Sequence, residues 1–155
     1  LAAPTDPGLD QKHHHDRRSD MGTKPVKMIL ARVHCALSVL LLVLVLVQAA
    51  LAGQFLFSGG SIAVHGYIAN GSFAVGLVLL VLTILARLPR GVLALVAVLV
   101  VVLFAQVGLG YAGRTSGTAA SLHVPLGVLT FGVSTALAGL SALYAGGVLP
   151  ARRNP

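Results

Sequence analysis

Four long apolar runs, separated by short breaks rich in glycine, proline or arginine, fill the chain from about residue 33 to residue 146. They cover about 33–57, 62–86, 91–111 and 119–146, inside a membrane domain of 28–148. At roughly 1.5 Å per residue, a helix of about 20 residues crosses the roughly 30 Å hydrocarbon layer, so each run is long enough to span it. Hydrocarbon admits only helices and closed barrels, so even the Val/Leu-rich third run, which would read as strand in water, is expected to be helical. The breaks are Ser58-Gly59-Gly60-Ser61, Arg87-Leu88-Pro89-Arg90 and the segment from Ala112 to Thr118. Breaks this short join antiparallel neighbours. The pattern predicts an all-α fold, a four-helix transmembrane bundle running up-down-up-down.

The second pattern is a repeat. Gln48 and His65 are 17 residues apart, and so are Gln106 and His123, with an offset of 58 between the pairs. At that offset Leu51 matches Leu109, Ser58 matches Ser116, Gly59 matches Gly117, Phe73 matches Phe131, Val75 matches Val133 and Leu79 matches Leu137. Two antiparallel helix pairs related by a pseudo-two-fold axis, read as inverted pairs, are the simplest arrangement behind the match.

Composition narrows the chemistry. The chain is 56% hydrophobic and 10% charged, outside the range of a soluble domain of 155 residues. All four acids, Asp6, Asp10, Asp16 and Asp20, precede Met21, so no carboxylate side chain is available for general acid/base work or proton relay in the membrane. The net charge of +7 could suggest nucleic acid, but the basic residues flank apolar spans and form no interleaved face. They read as a topology signal: Arg17, Arg18, Lys24, Lys27, Arg32, Arg87, Arg90, Arg152 and Arg153 fall on one side and Arg114 alone on the other. Both termini of this multi-pass cell-membrane protein are therefore expected in the cytoplasm. Residues 1–27, polar and proline-containing, read as a disordered cytoplasmic tail, and 149–155 as a cytoplasmic C-terminal tail. The first residue is Leu, which suggests a fragment or a different start at Met21 or Met28; no cleaved signal peptide is expected. The run His13-His14-His15 is expected to be solvated. Cys35 is the single cysteine, so no internal disulfide and no covalent haem attachment is possible.

On this topology His65 and His123 fall at one depth, in the first turns of spans 2 and 4, near the outer surface. In a square bundle those spans are diagonal, with axes about 12–14 Å apart, a gap that suits two neutral imidazoles with a flat macrocycle between them. The candidate site is thus a b-type haem with His65 and His123 as iron ligands. Gln48 and Gln106 lie beside them, either bonding between helices or orienting the imidazoles. Histidines near a span end can equally be interface residues that reach water or a neighbouring helix. His34 has no counterpart in the repeat, where its position carries Val92, and is not expected to form a second site. Asn70, Ser72, Thr130, Ser134 and Thr135 are expected to bond backbone carbonyls of their own helices, and Pro125 to sit near the start of span 4. Arg114 could meet haem propionates or be merely solvated.

The stretch from Gln106-Val-Gly-Leu-Gly to Leu122-His123-Val-Pro-Leu-Gly, with its partner from Gln48 to His65-Gly66, resembles the Gln-x-x-Leu-Gly and His pattern in the four-helix halves of haem A synthase. The resemblance covers roughly residues 40–145 and corresponds to one such half. It implies a haem-holding bundle, with the paired ligands falling on His65 and His123. The function expected is haem binding for electron transfer or haem handling, in the lipid bilayer and beside a respiratory or other membrane complex. The alternatives are a cofactor-free structural or assembly subunit and, behind it, a small transporter.

Overall fold

The computed structural model describes the backbone of residues 7–149 and the side chains of residues 26–149. It consists of four helices: α1 (Pro7–Ser58), α2 (Ile62–Leu85), α3 (Arg90–Ala112) and α4 (Gly117–Ala145). No strand occurs among the described residues. The parts long and apolar enough to cross a membrane are Val26–Ser58, Ile62–Leu85, Arg90–Ala112 and Gly117–Ala145. The all-α bundle follows the pattern of the sequence. At the N-terminus there is a difference: α1 extends back to Pro7, through residues whose composition suggests a disordered tail. Asp, Gln, Lys and Arg are tolerated in helices, so a helix already nucleated in the span can run on into them. The side chains of 1–25, including His13 to His15, and all of 150–155, including Arg152 and Arg153, lie outside the described residues.

Local chemistry ends each helix. After α1, Gly59 takes a positive φ of 70°, which lets the Gly60 N–H reach the free Gln54 carbonyl at 3.1 Å. After α2, Leu88 N–H bonds the Thr83 carbonyl and Arg87 N–H that of Ile84, both at 3.1 Å, with Arg87 left-handed at φ 52°. This paired closure stops α2 before the proline is reached, and Pro89 instead begins α3 as its N-cap. Ser61 and Ser116 cap α2 and α4, each oxygen accepting a backbone N–H at 3.3 Å.

Each helix packs on two neighbours, α1 on α2, α2 on α3, α3 on α4 and α4 on α1, and the diagonal pairs make no backbone approach. The ring is therefore square, with α2 and α4 facing each other across it. Because α1 and α3 run in the same direction, the two helix pairs are related by an axis along the bundle. They are not inverted, as the repeat alone had suggested. Buried positions advance alternately by four and three: His34, Ser38, Leu41 on α1; Ser72, Gly76, Leu79, Thr83 on α2; Val92, Val96, Leu99, Leu103 on α3; Thr130, Ser134, Leu137, Ser141 on α4. That mean step of about 3.5 is the spacing of a coiled-coil seam. The seam repeats at the offset of 58, so Leu41 answers Leu99 and Leu79 answers Leu137, all four fully buried. On α2 and α4 the seam is mostly small, on α1 and α3 mostly large, so bulky side chains meet close-packed backbone. The outer faces expose Val101, Phe104 and Val128, each about two-thirds exposed, an apolar surface suited to lipid and costly in water.

A paired histidine site at one end of the bundle

The end of the bundle that holds the turns 59–61 and 113–116 also holds all four residues singled out by the repeat. His65 on α2 and His123 on α4 face each other with ring centres 6.1 Å apart and planes at 68°. Each has a glutamine from the preceding helix. With its amide assigned by its partners, Gln48 donates to the His65 Nδ1 at 2.7 Å and to the His65 carbonyl at 3.1 Å, while its oxygen accepts from the Ala69 N–H. Gln106 repeats this on α4, donating to His123 Nδ1 at 3.2 Å and to its carbonyl at 3.0 Å and accepting from Gly127 N–H at 3.2 Å. The carbonyl of residue 65 and the N–H of residue 69 are partners in the helix ladder, as are those of 123 and 127. Each glutamine amide thus spans one rung of the next helix and the imidazole that hangs from it. Both roles weighed for these glutamines, helix bridging and imidazole contact, are met by the same atoms.

Glycine shapes the surroundings. A Cβ at Gly110 would stand 3.1 Å from His123 Cε1, and one at Gly127 would stand 3.1 Å from Gln106 Nε2. Pro125 is the ninth residue of α4, since the helix begins at Gly117. It is interior and not at the helix start, and it removes the rung to the Ser121 carbonyl two residues from His123.

The donor set can be tested against a haem iron. Two iron–nitrogen bonds of about 2 Å, with each nitrogen about 1.1 Å from its ring centre, put two axial imidazole centres about 6.2 Å apart. The observed 6.1 Å fits. Gln48 and Gln106 occupy both Nδ1 atoms, which leaves Nε2 as the nitrogen for a metal. With the amide nitrogen toward Nδ1 the ring proton is on Nε2; ligation through Nε2 would require that proton on Nδ1 and the amide turned over, which would set its oxygen against the carbonyl of residue 65 or 123 and its nitrogen against the N–H of residue 69 or 127. Donor type and ring spacing suit the group, while the glutamine amides as placed hold both imidazoles in the tautomer with Nε2 protonated.

A third feature lies at the same end. Asn70 on α2 donates its Nδ2 hydrogen to Tyr111 Oη on α3 at 2.9 Å, in place of the own-helix carbonyl expected from the sequence. The Arg114 guanidinium stacks 4.7 Å above the Tyr111 ring. Its Nη2 would lie 3.3 Å from a Cβ at Gly66, the residue next to His65.

At the opposite end His34 is fully buried. Thr83 Oγ1 donates to the Leu79 carbonyl at 2.7 Å and is approached by His34 Nε2 at 2.9 Å, so the imidazole N–H is the donor there. The Ser141 hydroxyl lies 3.0 Å from His34 Nδ1, and Ser38 Oγ donates to the His34 carbonyl at 2.8 Å and touches Ser141 Oγ at 3.2 Å. One assignment of protons satisfies every member with His34 neutral. Thr83 and Ser141 are repeat equivalents, so a residue without a repeat partner joins two that have one. Cys35, next to it, is a free, half-buried thiol. Ser72, Thr130 and Thr135 bond their own helix carbonyls at 2.8 Å as expected, but Ser134 Oγ is buried without a partner among the described residues, and nothing in the packing explains it.

Fold and surface define the class: an integral membrane four-helix bundle in contact with the lipid bilayer. No protein-family model, no curated protein and no solved structure matches the chain.

Proposed function

We propose that the bundle binds a b-type haem between His65 and His123 and serves electron transfer or haem handling beside a membrane complex. The observation that carries this reading is the 6.1 Å between ring centres of two histidines on diagonal helices. In support, each ring is contacted at Nδ1 by a glutamine of the preceding helix, which leaves Nε2 as the free nitrogen on both imidazoles. When bound, the haem supplies a one-electron couple. The chain's own part is to present two imidazole rings at the spacing of one iron and to contact each Nδ1 through Gln48 or Gln106.

The test is an absorption spectrum of the detergent-purified chain supplied with haem. The reading expects a Soret band and, on reduction, the sharp α-band of low-spin bis-imidazole iron. His65→Ala and His123→Ala should each remove the low-spin signature, and His34→Val should keep it. A colourless wild-type protein, or a low-spin spectrum that survives both outer substitutions, defeats the reading. The second reading, a cofactor-free structural subunit, is favoured by one observation: each glutamine already makes three hydrogen bonds to its neighbouring helix. It predicts a colourless protein that loses stability when Gln48 or Gln106 is changed to Leu.

A further inference from the structure

We propose that Arg114, held by Tyr111 and Asn70, receives a carboxylate of the ligand seated between His65 and His123; the inference rests on the haem reading and adds a group to its site. Among the described residues Arg114 is the only charged side chain at its end of the bundle. No acidic residue lies anywhere from 21 to 155, so no side chain there can neutralise it. A guanidinium presents paired donors matched to a carboxylate, and at an interface, where water is scarcer than in bulk, such a pair is favoured over a solvated cation.

The exposed guanidinium of Arg114 is placed by stacking. The ring of Tyr111 lies under it at 4.7 Å and is itself tied to α2 by the 2.9 Å bond from Asn70. The bare Gly66 lets the guanidinium come down beside the backbone next to His65; a side chain there would meet Nη2 at 3.3 Å. The arm exists on one side only. At the repeat-equivalent positions of Asn70, Tyr111 and Arg114 the chain carries Val128, Gly53 and Leu56. In a bundle that is otherwise nearly two-fold, a single cation gives a carboxylate-bearing ligand one preferred orientation out of two.

The experiment compares ferric protoporphyrin IX with its dimethyl ester, which keeps iron and ring and removes both carboxylates. The full chain in neutral detergent is titrated with each and followed at the Soret band. Wild type should bind the free acid about tenfold more tightly than the ester. Arg114→Gln should bring that ratio close to one by weakening the free acid alone, with the low-spin spectrum and helicity kept, and Arg114→Lys should retain part of it. An unchanged ratio in Arg114→Gln, or an equal loss for both porphyrins, overturns the proposal. So does a wild-type preference that disappears when phosphatidylglycerol is added, because the cation is then occupied by lipid phosphate. If neither porphyrin gives a low-spin spectrum, the haem reading fails first and the carboxylate site goes with it.

Discussion

His34 shows how one residue can act on three helices. Its two ring nitrogens meet hydroxyls of α2 and α4, and its carbonyl receives Ser38 of its own turn. In hydrocarbon a polar group without a partner costs several kcal/mol, yet measured interhelical hydrogen bonds average only about 0.6 kcal/mol, because unfolded spans also find partners. Here the ring is fully buried, so the desolvation cost decides. Thr83→Val should lose about 1–2 kcal/mol in detergent unfolding, since it strands the Nε2–H. Adding His34→Val, which copies the Val92 of the other half, should return part of that loss, and the double-mutant cycle should show coupling of at least about 0.5 kcal/mol. Additive losses would mean that the pair is only packed side by side.

Among the elements, the contact of α2 with α3 is the most size-restricted. A Cβ at Gly76 would lie 2.9 Å from Leu103 Cδ1, and Leu103 is itself buried with little room to move. Gly76→Val should therefore cost about 1–3 kcal/mol through overpacking, and Leu103→Ala in the same chain should recover much of it. If Gly76→Val alone unfolds no earlier than wild type in a thermal scan, the seam is looser than its geometry. α4 illustrates a second element-level device. Pro125 takes the rung to the Ser121 carbonyl out of the helix, and Gln106 from α3 spans the rung from His123 to Gly127, two residues further on.

At the scale of the molecule, antiparallel order brings the start of the first apolar span, the 86–89 turn and the end of α4 to one face, and the 59–61 and 113–116 turns to the other. Lys27, Arg32, Arg87 and Arg90 share the first face and Arg114 has the second to itself. The positive-inside bias then predicts that reporters inserted at Ser58–Ser61 or at Ala112–Thr118 read outside, and those before Val33 or after Pro155 read cytoplasm. A C-terminal reporter that is active outside would turn the bundle over and place the paired histidines on the cytoplasmic side. The apolar outer faces of Val101, Phe104 and Val128 fix only that lipid or another membrane helix covers them.

The four helices, their approximate ends and the 58-residue repeat were legible in the sequence, because hydropathy is a local property and hydrocarbon forces each backbone to satisfy itself within its own segment. The repeat also told that His65 and His123 share a depth. What it left open was which way each helix faces. In water an amphipathic stripe announces the buried side, but these spans are apolar all round, so the choice among faces falls to fine packing between small and large residues. Only the tertiary structure could bring Thr83 and Ser141 to His34, turn Asn70 toward Tyr111, and carry each glutamine onto the next helix's backbone. The 6.1 Å between the outer imidazoles is of the same kind: the sequence supplied two histidines at one level, and helix packing across the square decided their separation.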